Sequence, residues 1–216
     1  MQRACQITDK IFSEIIHNFH FKTEREIYYC IKKRFREFRV RQAYPPIVAN
    51  NSAVIHQKPR RRRLQHGFLI LDFAAKVNGY CTDMTRTIFI GKANADERKL
   101  YNTVLQCQKK IYAQVRPGVA CCDLDINARV LLGTYKRYFL HALGHGVGKK
   151  VHERPTIRPT SQDILKTGDV VAIEPGIYIK EKDRELGIRI EDTLYIARKP
   201  VILSRSPKKL LEVALP

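Results

Sequence analysis

Three histidines, His141, His145 and His152, fall within the thirteen residues HALGHGVGKKVHE, together with three glycines. A neutral imidazole can ligate a metal or hydrogen-bond a reacting group. Four carboxylates sit inside apolar runs: Asp72 in FLILDFAAK, Asp83 in YCTDMTRTIFI, Glu174 closing VVAIE, and Glu191 in GIRIEDTLYIA. Each acid taken alone is commonly a surface residue. Their relative placement argues for more. Asn78-Gly79 is a strong two-residue hairpin signal, because a type I′ turn needs positive φ at both positions. If it is the turn, Lys76 faces Cys81 and Ala74 faces Asp83. Asp72 then shares a face with Asp83 one diagonal step away, with Cβ atoms roughly 5.5–8 Å apart. Two carboxylates so aimed repel unless something cationic lies between them. Small Ala74 leaves room for it. Carboxylates plus imidazole, without cysteine, suit Mn²⁺ first, with Co²⁺, Fe²⁺ or Zn²⁺ as alternatives. Four carboxylates and a neutral imidazole balance two dications, the composition of a two-metal site that activates water.

The elements that must position these groups are legible as hydrophobic periodicity. Ile11, Phe12, Ile15, Ile16 and Phe19 form a helical stripe over 5–19. Thr23 and Glu26 read as a capping box opening a second helix to about Phe38, and Tyr44-Pro45-Pro46 ends that unit. Strands are predicted over 68–76 and 80–90. A long amphipathic helix follows over 95–115, stopped by Pro117-Gly118, then a shorter one over 123–132. Strands return at 170–174 and 187–197, where Ile188, Ile190, Leu194 and Ile196 take one face and Arg189, Glu191 and Thr193 the other. This order predicts an α+β fold with helices packed on one face of an antiparallel sheet.

Length and composition set the frame. A chain of 216 residues is expected to form a single domain with a real core. No apolar run approaches the ~20 residues that span a bilayer, and the N-terminus lacks the pattern of a signal peptide. The six cysteines show no framework spacing and read as reduced thiols, so a cytoplasmic protein is expected. The outlying number is charge: 40 Lys+Arg against 21 Asp+Glu, a net +19. Arg60 to Arg63 concentrate it, which leaves nucleic-acid or ribosome contact open against an ordinary solvated loop.

In chain order, DFAAKVNGYCTDMTRT, HALGHGVGKKVHE, AIEPGIY and GIRIEDT resemble the motifs of the pita-bread metallopeptidases, which include methionyl aminopeptidase, aminopeptidase P, prolidase and creatinase. The resemblance runs from about residue 5 to 205. It implies a pita-bread fold and five metal ligands: Asp72 terminal on one metal, Asp83 and Glu191 bridging, His145 and Glu174 completing the other. Glu174 also resembles the carboxylate that exchanges a proton with the attacking water. His152 resembles the histidine that polarises the scissile carbonyl, and His56, in NNSAVIHQKP, the family's other non-ligand histidine. His141 and Arg189 stand where the proline-directed branch carries its extra histidine and its RIE arginine, so both are expected to face substrate. For His141 a packed supporting role fits equally well.

The resemblance to the Xaa-Pro branch implies hydrolysis of the bond between an N-terminal residue and a following proline, with a peptide as the partner. Methionyl aminopeptidase is one alternative. A pita-bread module that binds RNA or peptide without catalysis is another, though such modules usually lose ligands and all five positions are filled here. Two departures stand out. Ala74 replaces the family's usual glycine beside the metals. The whole chain, 1–216, corresponds to the catalytic domain without the N-terminal non-catalytic domain of aminopeptidase P and prolidase, which leaves a homodimer open.

Overall fold

The computed structural model describes residues 1–215. Two helices open the chain, α1 (Gln2–His17) and α2 (Glu24–Glu37). The stripe of α1 is buried at Ile7, Ile11, Phe12 and Ile15, and the helix starts three residues earlier than its periodicity suggests because Ala4 and Cys5 also enter the core. At α2, Thr23 accepts the Glu26 N–H at 3.2 Å, but the Glu26 carboxylate turns to the Lys22 N–H at 2.7 Å. The expected capping box is therefore half formed.

Strands β1 (Arg41–Gln42), β2 (Ile47–Asn50), β3 (Gly67–Asp72), β4 (Ala75–Val77), β5 (Tyr80–Cys81) and β6 (Thr85–Ile90) follow. The hairpin register is the one read from Asn78-Gly79. Lys76 pairs with Cys81, and Asn78 and Gly79 take φ of 50° and 83°. The same register continues beyond the strand breaks, where Phe73 N–H bonds the Met84 carbonyl and Asp72 pairs with Thr85. The strands expected over 68–76 and 80–90 are nonetheless each interrupted. Up to Asp72 the chain belongs to a sheet ordered β2-β3-β6, and from Ala75 to one ordered β1-β4-β5.

Helices α3 (Ala95–Tyr112) and α4 (Cys121–Leu132) lead to β7 (Gly144–Gly146), β8 (Glu153–Ile157), β9 (Val170–Ile173), β10 (Gly176–Glu181), β11 (Arg184–Arg189), β12 (Asp192–Tyr195), β13 (Val201–Ile202) and β14 (Glu212–Val213). The strand expected over 187–197 also divides. Its first part, β11, forms a hairpin with β10, and its second, β12, joins a sheet ordered β13-β12-β9-β7-β8. β14 adds in parallel to β6.

Alternation along these strands decides what faces the site. In β3, Leu69 and Leu71 pack with the buried faces of α1 and α2, leaving Ile70 and Asp72 on the other side. In the second half, Val171, Ile173, Ile188 and Ile190 pack in the core with α3 and α4, so Glu174, Arg189 and Glu191 point away from it. The fold is α+β as expected.

The basic run is less available to a partner than its composition suggests. Buried Glu24 accepts Arg60 through its Nε, Nη2 and backbone N–H, and Arg62 Nη2 donates to the Asn50 carbonyl at 2.9 Å. These contacts pin the loop that carries His56. The cysteines are free thiols, four of them buried. Among the described residues no helix is long and apolar enough to cross a membrane.

Candidate active site

All nine residues singled out in the sequence line one cavity of about 890 Å³: His56, Asp72, Asp83, His141, His145, His152, Glu174, Arg189 and Glu191. They come from the β2–β3 loop, β3, the β5–β6 connection, β7 and its flanks, and the segments just after β9 and at the end of β11. The glycines of HALGHG serve close packing. β7 runs between β8 and β9, and a Cβ on Gly144 would lie 2.0 Å from the Ala172 carbonyl oxygen, one on Gly146 2.2 Å from that of Arg154. Only glycine lets the strand carrying His145 come so close. The approach is held from α4, where the Asp125 carboxylate accepts the Leu143 N–H and Arg129 donates to the carbonyls of Phe139 and His141.

Three overlapping sets of donor atoms each lie within 4.8 Å of one another: Asp72, Asp83 and Glu191; His145, Glu174 and Glu191; and Asp83, His145 and His152. Asp83, His145 and Glu191 each belong to two sets, and of these only the two carboxylates, with two oxygens each, can bridge. His145 Nδ1 lies 3.1 Å from the Gly146 carbonyl, so that nitrogen carries the proton and Nε2 presents its lone pair. Nε2 faces Glu174 Oε1 at 3.5 Å and Asp83 Oδ2 at 3.6 Å. A lone pair turned toward two carboxylate oxygens is unfavourable unless a cation lies among them. Oxygen donors with one imidazole and no thiolate therefore fit a divalent metal pair.

The electrostatics agree. Burial pushes the Asp83 carboxyl well above its ordinary range, with Asp72 adding repulsion. Glu191 is raised by burial and then by Asp83, and Glu174 by burial and then by Glu191. Arg189 is the cation set among them. Its Nη2 donates to Asp72, its Nη1 to the Tyr178 hydroxyl at 2.5 Å and its Nε to Thr85 Oγ1 at 3.1 Å. Thr85 in turn donates to Glu191 at 2.6 Å. The Tyr178 hydroxyl, accepting from Arg189, donates to His141 Nε2 at 3.0 Å, while His141 Nδ1–H bonds the Ala142 carbonyl. Burial, followed by Arg189, drives the His141 pKa down to about 3, and burial that of His145 to about 4.

These shifts predict an unusual pH profile for the metal-stripped protein. Acids with raised folded pKa make the folded chain bind more protons than the unfolded one, so stability falls as pH rises through that window. The two histidines act in the opposite sense, but only between about 3 or 4 and their ordinary 6.5. The melting temperature in EDTA is expected to fall as pH rises through the range in which the buried carboxyls lose their protons, and saturating Mn²⁺ should remove that fall by replacing protons. Thermal melts across a pH series, with and without Mn²⁺, measure this; a flat EDTA profile would contradict the burial-driven shifts.

Two tyrosines of the site escaped the sequence reading. The Tyr44 hydroxyl contacts both Asp72 and Asp83. No local pattern marks it, since it lies 28 residues before Asp72 and reads only as the start of a Tyr-Pro-Pro stop. Tyr178 could have been found, because it alternates with Ile177 and Ile179, which pack in the core, and so takes the opposite face of β10. Ala74 is fully buried, and its carbonyl accepts the Ala43 N–H.

Residues 1–198 match metallopeptidase family M24. An Xaa-Pro dipeptidase of Pyrococcus furiosus is 37% identical over 206 residues, 91% of this chain and 58% of that protein. Among solved structures, a prolidase from Thermococcus sibiricus superposes with a TM-score of 0.92 at 35% identity, covering 98% of this chain and 59% of that one. An X-Pro aminopeptidase from Thermotoga maritima gives a TM-score of 0.92 at 30% identity, covering 98% and 62%. The fold is thus the pita-bread arrangement implied by the sequence motifs. The chain spans somewhat under two thirds of the length of these relatives.

Proposed function

The chain belongs to metallopeptidase family M24, and from that premise we propose that it is a dinuclear-metal hydrolase cleaving the peptide bond between an N-terminal residue and a following proline. The observation that carries this is the convergence of Asp72, Asp83, His145, Glu174 and Glu191 on one cavity that also receives His141 and Arg189. The five form the ligand set. The other two mark the Xaa-Pro branch over methionyl aminopeptidase. Mn²⁺ is the metal the donor set suits first, with Co²⁺, Fe²⁺ and Zn²⁺ also compatible. Free thiols support a cytoplasmic setting.

When bound, a pair of divalent ions polarises the scissile carbonyl and makes water nucleophilic at neutral pH. The chain's own groups do the rest. Glu174, whose burial strengthens its hold on a proton, takes one from the water and returns it to the leaving amine. His152 donates a hydrogen bond to the carbonyl oxygen as negative charge develops there. His56 also lines the cavity, on the loop pinned by Glu24 and Arg60, where the family resemblance puts a histidine beside the substrate's amine or scissile bond. Arg189 holds Asp72, and burial followed by Arg189 keeps His141 neutral, with its ring fixed between the Tyr178 hydroxyl and the Ala142 carbonyl at the cavity wall.

Release of the first residue from Xaa-Pro peptides by the purified chain with Mn²⁺ or Co²⁺ tests the reading. Hydrolysis confined to Met-Ala-type peptides would place the chain in the methionyl branch. Absence of both activities and of metal uptake, with RNA or peptide retained, would make it a binding module.

A further inference from the structure

Gln108 interrupts an otherwise apolar run on the buried face of α3, among Leu100, Val104, Cys107 and Ile111. It is fully buried. Its Nε2 donates to the Ile190 carbonyl at 2.7 Å and faces the Ile173 carbonyl at 3.4 Å. One NH₂ group carries two protons, so it can serve both acceptors. Its Oε1, by contrast, is the one buried side-chain polar atom without a partner among the described residues. Packing alone does not explain such a residue. Methionine or leucine would fill a similar volume with no orphaned acceptor.

The two carbonyls belong to the residues immediately before Glu174 and Glu191. β9 ends at Ile173, and Ile190 lies between the end of β11 and the start of β12, where the chain passes from one sheet to another. Beyond these points each glutamate is held by a backbone bond of its own, the Glu174 N–H to the Leu143 carbonyl at 2.8 Å and the Glu191 N–H to that of Thr85 at 3.0 Å. The amide of Gln108 therefore joins two strand ends just before they deliver their carboxylates to the cavity. We propose that Gln108 is a positioning residue that sets the spacing of the Glu174 and Glu191 carboxylates for metal binding, which rests on the reading of those two glutamates as ligands.

Gln108→Met removes the donor while keeping the volume. Without its tie, the Glu174 and Glu191 amides are expected to exchange with solvent up to roughly tenfold faster, the net worth of a hydrogen bond, with exchange in β3 and β6 unchanged. Mn²⁺ affinity by titration calorimetry should weaken by about 10–100-fold, the usual effect of losing a group that orients a ligand. The visible spectrum of the Co²⁺-loaded protein should shift, and kcat should fall with KM nearly constant. Gln108→Glu covers the case in which the methionine variant does not fold. Protonated in that apolar site, it keeps one O–H donor in place of two and should give an intermediate Mn²⁺ affinity. Unchanged amide exchange, or faster exchange with parental Mn²⁺ affinity and Co²⁺ spectrum, would overturn the proposal. Faster exchange in a chain whose parent takes up no metal would instead overturn the metallopeptidase reading and leave the tie between the strands standing.

Discussion

Asp83→Asn, or Glu191→Gln, is expected to leave the protein unable to hold two divalent ions and to lower kcat/KM by about 10³-fold or more. Each of these carboxylates shares donor distances with two different sets of neighbours, so losing one removes a link to both metal positions. The metals' share of transition-state stabilisation is several kcal/mol, and roughly 1.4 kcal/mol corresponds to a factor of ten. Unfolding is not the expected cause. Burial and neighbouring acids already make ionised Asp83 and Glu191 unfavourable in the metal-free chain. A neutral amide of the same shape should leave that state at least as stable at neutral pH. Metal content by elemental analysis and melting curves in EDTA separate the two effects. Two metals retained at parental affinity by either variant would remove the bridging assignment.

His152→Ala is expected to retain both metals while kcat falls by ~10²–10³, the usual effect of removing one oxyanion donor. The geometry makes this a real test, because a His152 ring nitrogen lies within 4.8 Å of donor atoms of Asp83 and His145 and could have been a ligand. Exposure argues otherwise. His152 is solvent-exposed, and its ring meets that of His145 edge-on at a centroid distance of 4.2 Å. His145 already faces both Asp83 and Glu174 through Nε2. A metal count of one in His152→Ala would turn it into a ligand and leave the oxyanion without its donor.

Much of the site was readable before any coordinates. Period-two alternation placed Arg189 and Glu191 opposite the apolar face of their strand, and Asn78-Gly79 set the register that brings Asp72 beside Asp83. The resemblance of four ordered motifs added the roles, and every residue it named lines the cavity. Charge composition does not show that Arg60 is bound to a buried glutamate and Arg62 to a backbone carbonyl. Tyr44 and Gln108 went unseen for a related reason. Each acts on residues far away in sequence, Gln108 on Ile173 and Ile190 at separations of 65 and 82.

By itself, then, the amino-acid order determined which side chains could serve as ligands, which face of each strand they occupy, and the pairing across one tight turn. These are local properties, governed by side-chain chemistry, strand pleat and turn geometry. Only the tertiary structure decided that the strands break after Asp72 and after Arg189 and change sheets there, so that acids from separate ladders meet. Such a meeting depends on contacts like that of Thr85 with Glu191, 106 residues apart. Burial then takes the assembled carboxylates largely out of solvent, and their mutual repulsion there favours cations among them.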